Sequence, residues 1–95
     1  MVIKIDEEKV KQIADFYGLK NQLKQLVEEC SELSVEALHY TRERGGTERI
    51  SEEIVDVLIM IQQVIYLLRD DTEKLEKYAD FKLDRQLSRI KREQE

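Results

Sequence analysis

The sequence predicts an all-α protein, an antiparallel bundle of about four helices, and three observations carry that expectation. No proline occurs among the 95 residues and glycine only 3 times, so little interrupts the backbone over long stretches. Apolar residues recur three and four positions apart, the spacing that lines one face of a helix. The connections between these stretches are short, which favours antiparallel neighbours. The length fits a single domain spanning 1–95. A helical chain of this size buries a modest core, and we expect further copies to cover its remaining apolar surface.

The first helix is expected from about Asp6 to Tyr17, with Asp6 as N-cap, Val10, Ile13 and Ala14 as its stripe and Gly18 as its stop. The second runs from about Lys20 to Arg44 along Leu23, Leu26, Val27, Cys30, Leu33, Ala37 and Leu38, and Gly45-Gly46 ends it. The third begins near Thr47 or Ser51, either of which is a candidate cap, and runs to about Arg69. Its main apolar face is Ile50, Ile54, Val57, Leu58, Ile61, Val64, Ile65 and Leu68, with Val55, Ile59, Met60, Tyr66 and Leu67 extending around it. A helix this apolar is central, or shared between the core and a subunit interface. The fourth starts near Asp71-Thr72, carries Leu75, Ala79, Leu83, Leu87 and Ile90 on one side, and is expected to fray over Lys91–Glu95.

The net charge of −5 and pI near 5.0 leave no electrostatic footprint for a nucleic acid polymer or an anionic membrane. The apolar run Ile54–Leu68 is broken by Asp56, Gln62 and Gln63 and falls short of the roughly 20 residues of a membrane span. Met1–Asp6 has no signal-peptide pattern. These features predict a soluble, cytoplasmic protein. The single Cys30 excludes an intrachain disulfide, and its apolar neighbours predict a buried structural thiol.

Chemistry is concentrated in acids. Glu29 and Glu32 are three apart, as are Glu53 and Asp56, and residues three apart share a helix face. Helices folded together at Gly45-Gly46 would bring the two pairs opposite each other. Crowded carboxylates repel unless a cation is present, and a hard, oxygen-preferring ion such as Mg²⁺ is the natural partner, with Mn²⁺ as the alternative. Asp56 is the most telling position, because a carboxylate on so apolar a helix is costly unless paired or metal-bound. For any single Glu in so charged a chain, a solvated face is the competing reading.

Other constellations are incomplete. Glu36 precedes His39 by three, but a di-iron bundle needs two such pairs and His39 is the only histidine, so His39 reads as a surface or subsite residue. Gly45-Gly46 lacks the Lys-Ser/Thr of a phosphate loop, and zinc's usual ligands are almost absent. Lys82, Arg85, Arg89 and Arg92 form a basic stripe: a solvated face, or cations that meet nucleotide phosphates, on the same or a neighbouring subunit. Tyr17, Tyr40, Tyr66 and Tyr78 suit core or interface packing before base stacking.

Glu28-Glu29-Cys30-Ser31-Glu32 followed by Glu53-Ile54-Val55-Asp56 resembles the paired E-E-x-x-E and E-x-x-D motifs of MazG-like nucleoside triphosphate pyrophosphohydrolases. That family belongs to the all-α NTP pyrophosphatase group, with the dimeric dUTPases and the phosphoribosyl-ATP pyrophosphatases. The resemblance spans the second and third helices, and the four-helix layout extends it over most of the chain. It implies an enzyme that hydrolyses a nucleoside triphosphate between the α and β phosphates, releasing pyrophosphate. It also implies Glu29, Glu32, Glu53 and Asp56 as Mg²⁺ ligands, Glu28 as a supporting residue of the catalytic set, and a homodimer or homotetramer. Ile59 and Met60 stand where some relatives continue the second motif with Asn or Asp, which bears on base or sugar recognition. The alternative is a non-catalytic helical module that binds a nucleotide or a protein and keeps the acids as a metal site.

Overall fold

The computed structural model describes residues 3–95; Met1 and Val2, part of the N-terminal stretch read above, lie outside the described residues. Four helices follow in order, with no strand among the described residues. Helix α1 (Glu7–Tyr17) starts where Asp6 accepts a hydrogen bond from the Lys9 N–H at 3.1 Å. It stops at Gly18, whose φ of 81° an L side chain rarely adopts. The Gly18 N–H closes α1 onto the Ala14 carbonyl, while its own carbonyl accepts the Gln22 N–H and opens α2.

Helix α2 (Leu19–Thr41) ends three residues before the expected Arg44. Its last carbonyls are already taken by the N–H groups of Arg42, Glu43 and Arg44, so the turn begins before the glycines. Helix α3 (Thr47–Leu68) is preceded by Gly46, and neither Thr47 nor Ser51 caps it: both lie within the helix. It closes at Arg69 in the left-handed conformation. Asp71 caps α4 (Thr72–Gln94) by accepting from the Glu73 N–H at 3.0 Å. The tail expected to fray stays helical through Gln94.

Helices α2 and α3 pack antiparallel, as the pairing of Glu36 with Arg49 and of Glu29 with Glu53 requires. Their seam is a ladder at alternating intervals of three and four. Gln22, Leu26, Glu29, Leu33 and Glu36 face Ile50, Glu53, Val57, Met60, Val64 and Leu67, and all are buried or half-buried. That interval keeps the same sides of two helices in contact along their length. Helix α1 covers one side of the hairpin, mainly on α3. There Val10 and Ala14 are buried, and the Tyr66 hydroxyl donates to both carboxylate oxygens of Asp15 at 2.9 and 3.0 Å.

The expected stripes are therefore only partly the core. On α2 only Leu26 and Leu33 enter the seam; Leu23, Val27, Cys30, Ala37 and Leu38 are exposed. Cys30 is accordingly not a buried structural thiol. On α3, Ile54, Ile61 and Leu68 are exposed, while Met60 and Gln63 are buried. At about 100° per residue these outer residues lie roughly a quarter turn round from the seam on both helices. In an antiparallel pair they share one face of the hairpin, opposite α1.

Helix α4 packs along none of the other three. Tyr78, Phe81, Leu83, Leu87 and Ile90 are all at least 49% exposed, and only Leu75 is half-buried. The radius of gyration of 16.2 Å exceeds the about 12 Å of a compact domain of this length for the same reason. Among the described residues no helix is long and apolar enough to cross a membrane.

Candidate metal centre

Midway along the seam two of its rungs are acids. Glu29 on α2 and Glu53 on α3 occupy ladder positions whose neighbouring rungs hold Leu26, Leu33, Ile50 and Val57, and both are half-buried. Asp56 stands one turn after Glu53 on the side that α1 covers further along. Glu29, Glu53 and Asp56 each offer one carboxylate oxygen, and these oxygens lie within 4.8 Å of one another. Two of the expected ligands thus come from one helix and one from the other, held by the antiparallel register.

Hydrogen bonding leaves this group unfinished. Gln25 Nε2 donates to Glu29 Oε1 at 3.0 Å, fixing one side of that carboxylate. Glu29 Oε2 and Glu53 Oε2 are buried without a hydrogen-bond partner among the described residues. A buried carboxylate oxygen with no donor is unfavourable, and the cost rises when its neighbours carry the same charge. Burial, and then the negative charges of Glu32, Asp56, Glu29 and Glu36, raise the Glu53 carboxyl above its ordinary value of 4.5. One divalent cation would supply what both orphan oxygens lack and reverse the sign of the local field. An all-oxygen, all-carboxylate donor set suits Mg²⁺ or Mn²⁺ and disfavours softer ions.

The remaining expected residues fall into place unevenly. Glu32 is exposed and outside the trio, yet its charge is the largest of those acting on Glu53. Glu28 is exposed and lines the neighbouring cleft. Asp56 is also exposed, where a carboxylate hemmed in by an apolar helix was expected; α1 packs further along α3 and leaves this stretch open beside Ser51, Glu52 and Val55. Lys82, Arg85 and Arg89 are not brought to the acids, because α4 does not fold back onto the hairpin. Arg85 lies over the Phe81 ring at 5.9 Å instead. His39 is half-buried, its Nδ1 4.0 Å from Glu36.

Three features have no motif in the sequence. Arg49 donates to Glu36 at 3.4 Å and ties the turn end of the hairpin just beyond the trio. Gln25 orients Glu29, and Gln22 occupies a ladder rung as a buried amide. The signal for Gln22 was available in the interval Gln22, Leu26, Glu29, Leu33, Glu36, read as a single seam. Comparison with protein-family models, with curated proteins and with solved structures returns no match for this chain.

The raised Glu53 carboxyl has a consequence for stability. Without metal, the folded chain keeps the Glu53 proton to higher pH than the unfolded chain does. Between 4.5 and the raised value the folded state therefore binds more protons, and stability falls as pH rises. Glu53→Gln removes that loss. In EDTA the variant should melt above wild type at pH 7, with the gap closing as pH drops below about 4.5. Circular-dichroism melts across this range check it; a variant that melts lower at neutral pH contradicts the unpaired-carboxylate account.

Proposed function

We propose that the chain is a metal-dependent nucleoside triphosphate pyrophosphohydrolase, cleaving between the α and β phosphates to give a monophosphate and pyrophosphate. One observation carries the reading: two buried, partnerless carboxylate oxygens in a helix seam meet a third, exposed acid at its edge, at the positions of the E-E-x-x-E and E-x-x-D pattern. Glu29, Glu53 and Asp56 would hold Mg²⁺, with Glu32 beside them as a fourth carboxylate. When bound, the ion supplies Lewis-acid polarisation of a phosphoryl oxygen and a site for the attacking water.

The chain's own residues do the rest. Gln25 holds Glu29 in orientation, so that carboxylate is positioned before ligand arrives. Arg49 and Glu36 keep the hairpin register that sets the distance between the acid pairs. Glu32, exposed and close to Glu53, is available to the ion or to the proton of the attacking water.

The test is pyrophosphate release from a panel of ribo- and deoxynucleoside triphosphates with Mg²⁺ and with EDTA. The expected result is Mg²⁺-dependent release with stoichiometric monophosphate. Glu53→Gln and Asp56→Asn should each lower it by a factor of about 100 or more while the helical spectrum is kept, since removing one group that stabilises transition-state charge costs about that much. No release from folded, metal-loaded protein would favour the non-catalytic binding module.

The active form is a homodimer or homotetramer. Its support is the apolar face opposite α1, where Val27 is 66% and Leu38 52% exposed, together with the unpacked apolar stripe of α4. Single soluble chains rarely leave so much contiguous apolar surface in water. Sedimentation equilibrium should give a multiple of the 11.3 kDa chain mass, and Val27→Glu should reduce it. A monomer at all concentrations removes the subunit interface and any role for Arg85 or Arg89 in a neighbour's site.

A further inference from the structure

Next to the acid trio lies a second feature that the metal chemistry leaves unused. A cleft of about 580 Å³ opens where the end of α1 meets α2 and α3. That volume is in the range of small-molecule sites. Ile13, Tyr17, Ile59 and Met60 give it apolar walls. At its edge toward the acids stand Glu28 and Gln25, and Gln25 is the residue that donates to Glu29. The cleft and the trio therefore share a wall.

Two amides line this cleft and are almost wholly buried. Gln22 is 4% exposed and Gln63 2% exposed. Among the described residues Gln22 Oε1 has no hydrogen-bond partner, and it is closed to solvent. A glutamine on a packing ladder with an orphaned acceptor is a liability to folding, and Leu or Met at that rung would pack without it. The terminal torsion of glutamine is soft, so the amide turns toward the cleft at little cost. A planar ligand with N–H and C=O groups along one edge, lying between Tyr17 and the Ile59–Met60 wall, would supply the donor that Gln22 lacks and lie against the Gln63 amide.

We infer that this cleft seats the nucleobase of the substrate, with Gln22 and Gln63 as the residues that read its edge. The inference rests on the nucleotide reading above and adds to it the place and chemistry of base selection. It also accounts for apolar Ile59 and Met60 following the second acidic pair: they form the flat wall, and hydrogen bonding is moved to the two glutamines. A buried amide that must be paired discriminates strongly between ligands that satisfy it and those that do not.

The test uses the labelled full chain and free nucleosides, which carry no phosphate and need no metal. Shifts should be saturable, should cluster on the methyls of Ile13, Ile59 and Met60 and on the side-chain amides of Gln22 and Gln63, and should rank the bases by affinity. Gln22→Met should raise the melting temperature, by removing the orphaned acceptor, and compress the ranking at least fivefold. If nucleosides bind too weakly, α,β-methylene triphosphates with Mg²⁺ bring the base to the site without turnover. Shifts at Glu53 and Asp56 with none in the cleft would overturn the inference, as would equal shifts from ribose 5-triphosphate. Base-ranked shifts without pyrophosphate release would uphold the cleft and refute the hydrolase; release without cleft shifts would do the reverse.

Discussion

The architecture turns on two carboxylates placed inside a helix–helix seam. Glu29 and Glu53 sit on rungs where apolar side chains would hold α2 and α3 together, and each leaves an oxygen buried without a partner. Val57, Met60 and Val64 supply the apolar packing on one side of that point, and the Glu36–Arg49 contact braces the other. The seam is thus least satisfied at the Glu29–Glu53 rung. A cation there would convert mutual repulsion into cross-linking attraction, so metal binding and hairpin closure would be coupled: what binds the closed hairpin alone must stabilise it.

The rest of the chain reads as support for that point. Among the described residues the buried apolar core is small, confined to Val10, Ala14, Val57, Met60 and Val64. Helix α1 is pinned to α3 by the Asp15–Tyr66 hydrogen bonds and closes one side of the hairpin while leaving the acids open. On the other side the apolar residues of α2 and α3 face solvent, and α4 presents an unmatched stripe of its own. The proposed assembly and the proposed site use opposite faces of one hairpin, which lets a partner cover the first without blocking the second.

Much of this was legible in the residues. Asp6, Gly18 and Asp71 mark helix ends because each works through local backbone chemistry, independent of distant packing. The acid pairs could be placed on facing helices because a short turn and a helical period leave little choice. The burial of Cys30 was misjudged because α2 carries two apolar faces a quarter turn apart, and periodicity alone does not say which one meets a neighbour. Gln22 and Gln63 were overlooked because polar residues are ordinarily assigned to solvent. Lys82, Arg85 and Arg89 form a real stripe, but its place depends on the direction α4 takes after Arg69, where a single left-handed residue sets the course. The ends of α2 and α4 shifted by a few residues because terminal turns are decided by which carbonyls the loop can satisfy.

The central claim is that Glu29, Glu53 and Asp56 form one divalent-cation site, and Mn²⁺ binding followed by electron paramagnetic resonance tests it most directly. The account predicts one saturable Mn²⁺ per trio, displaced by Mg²⁺ and lost in Glu53→Gln with the helices intact. Absence of saturable binding at millimolar Mn²⁺, or unchanged binding in that variant, would contradict it.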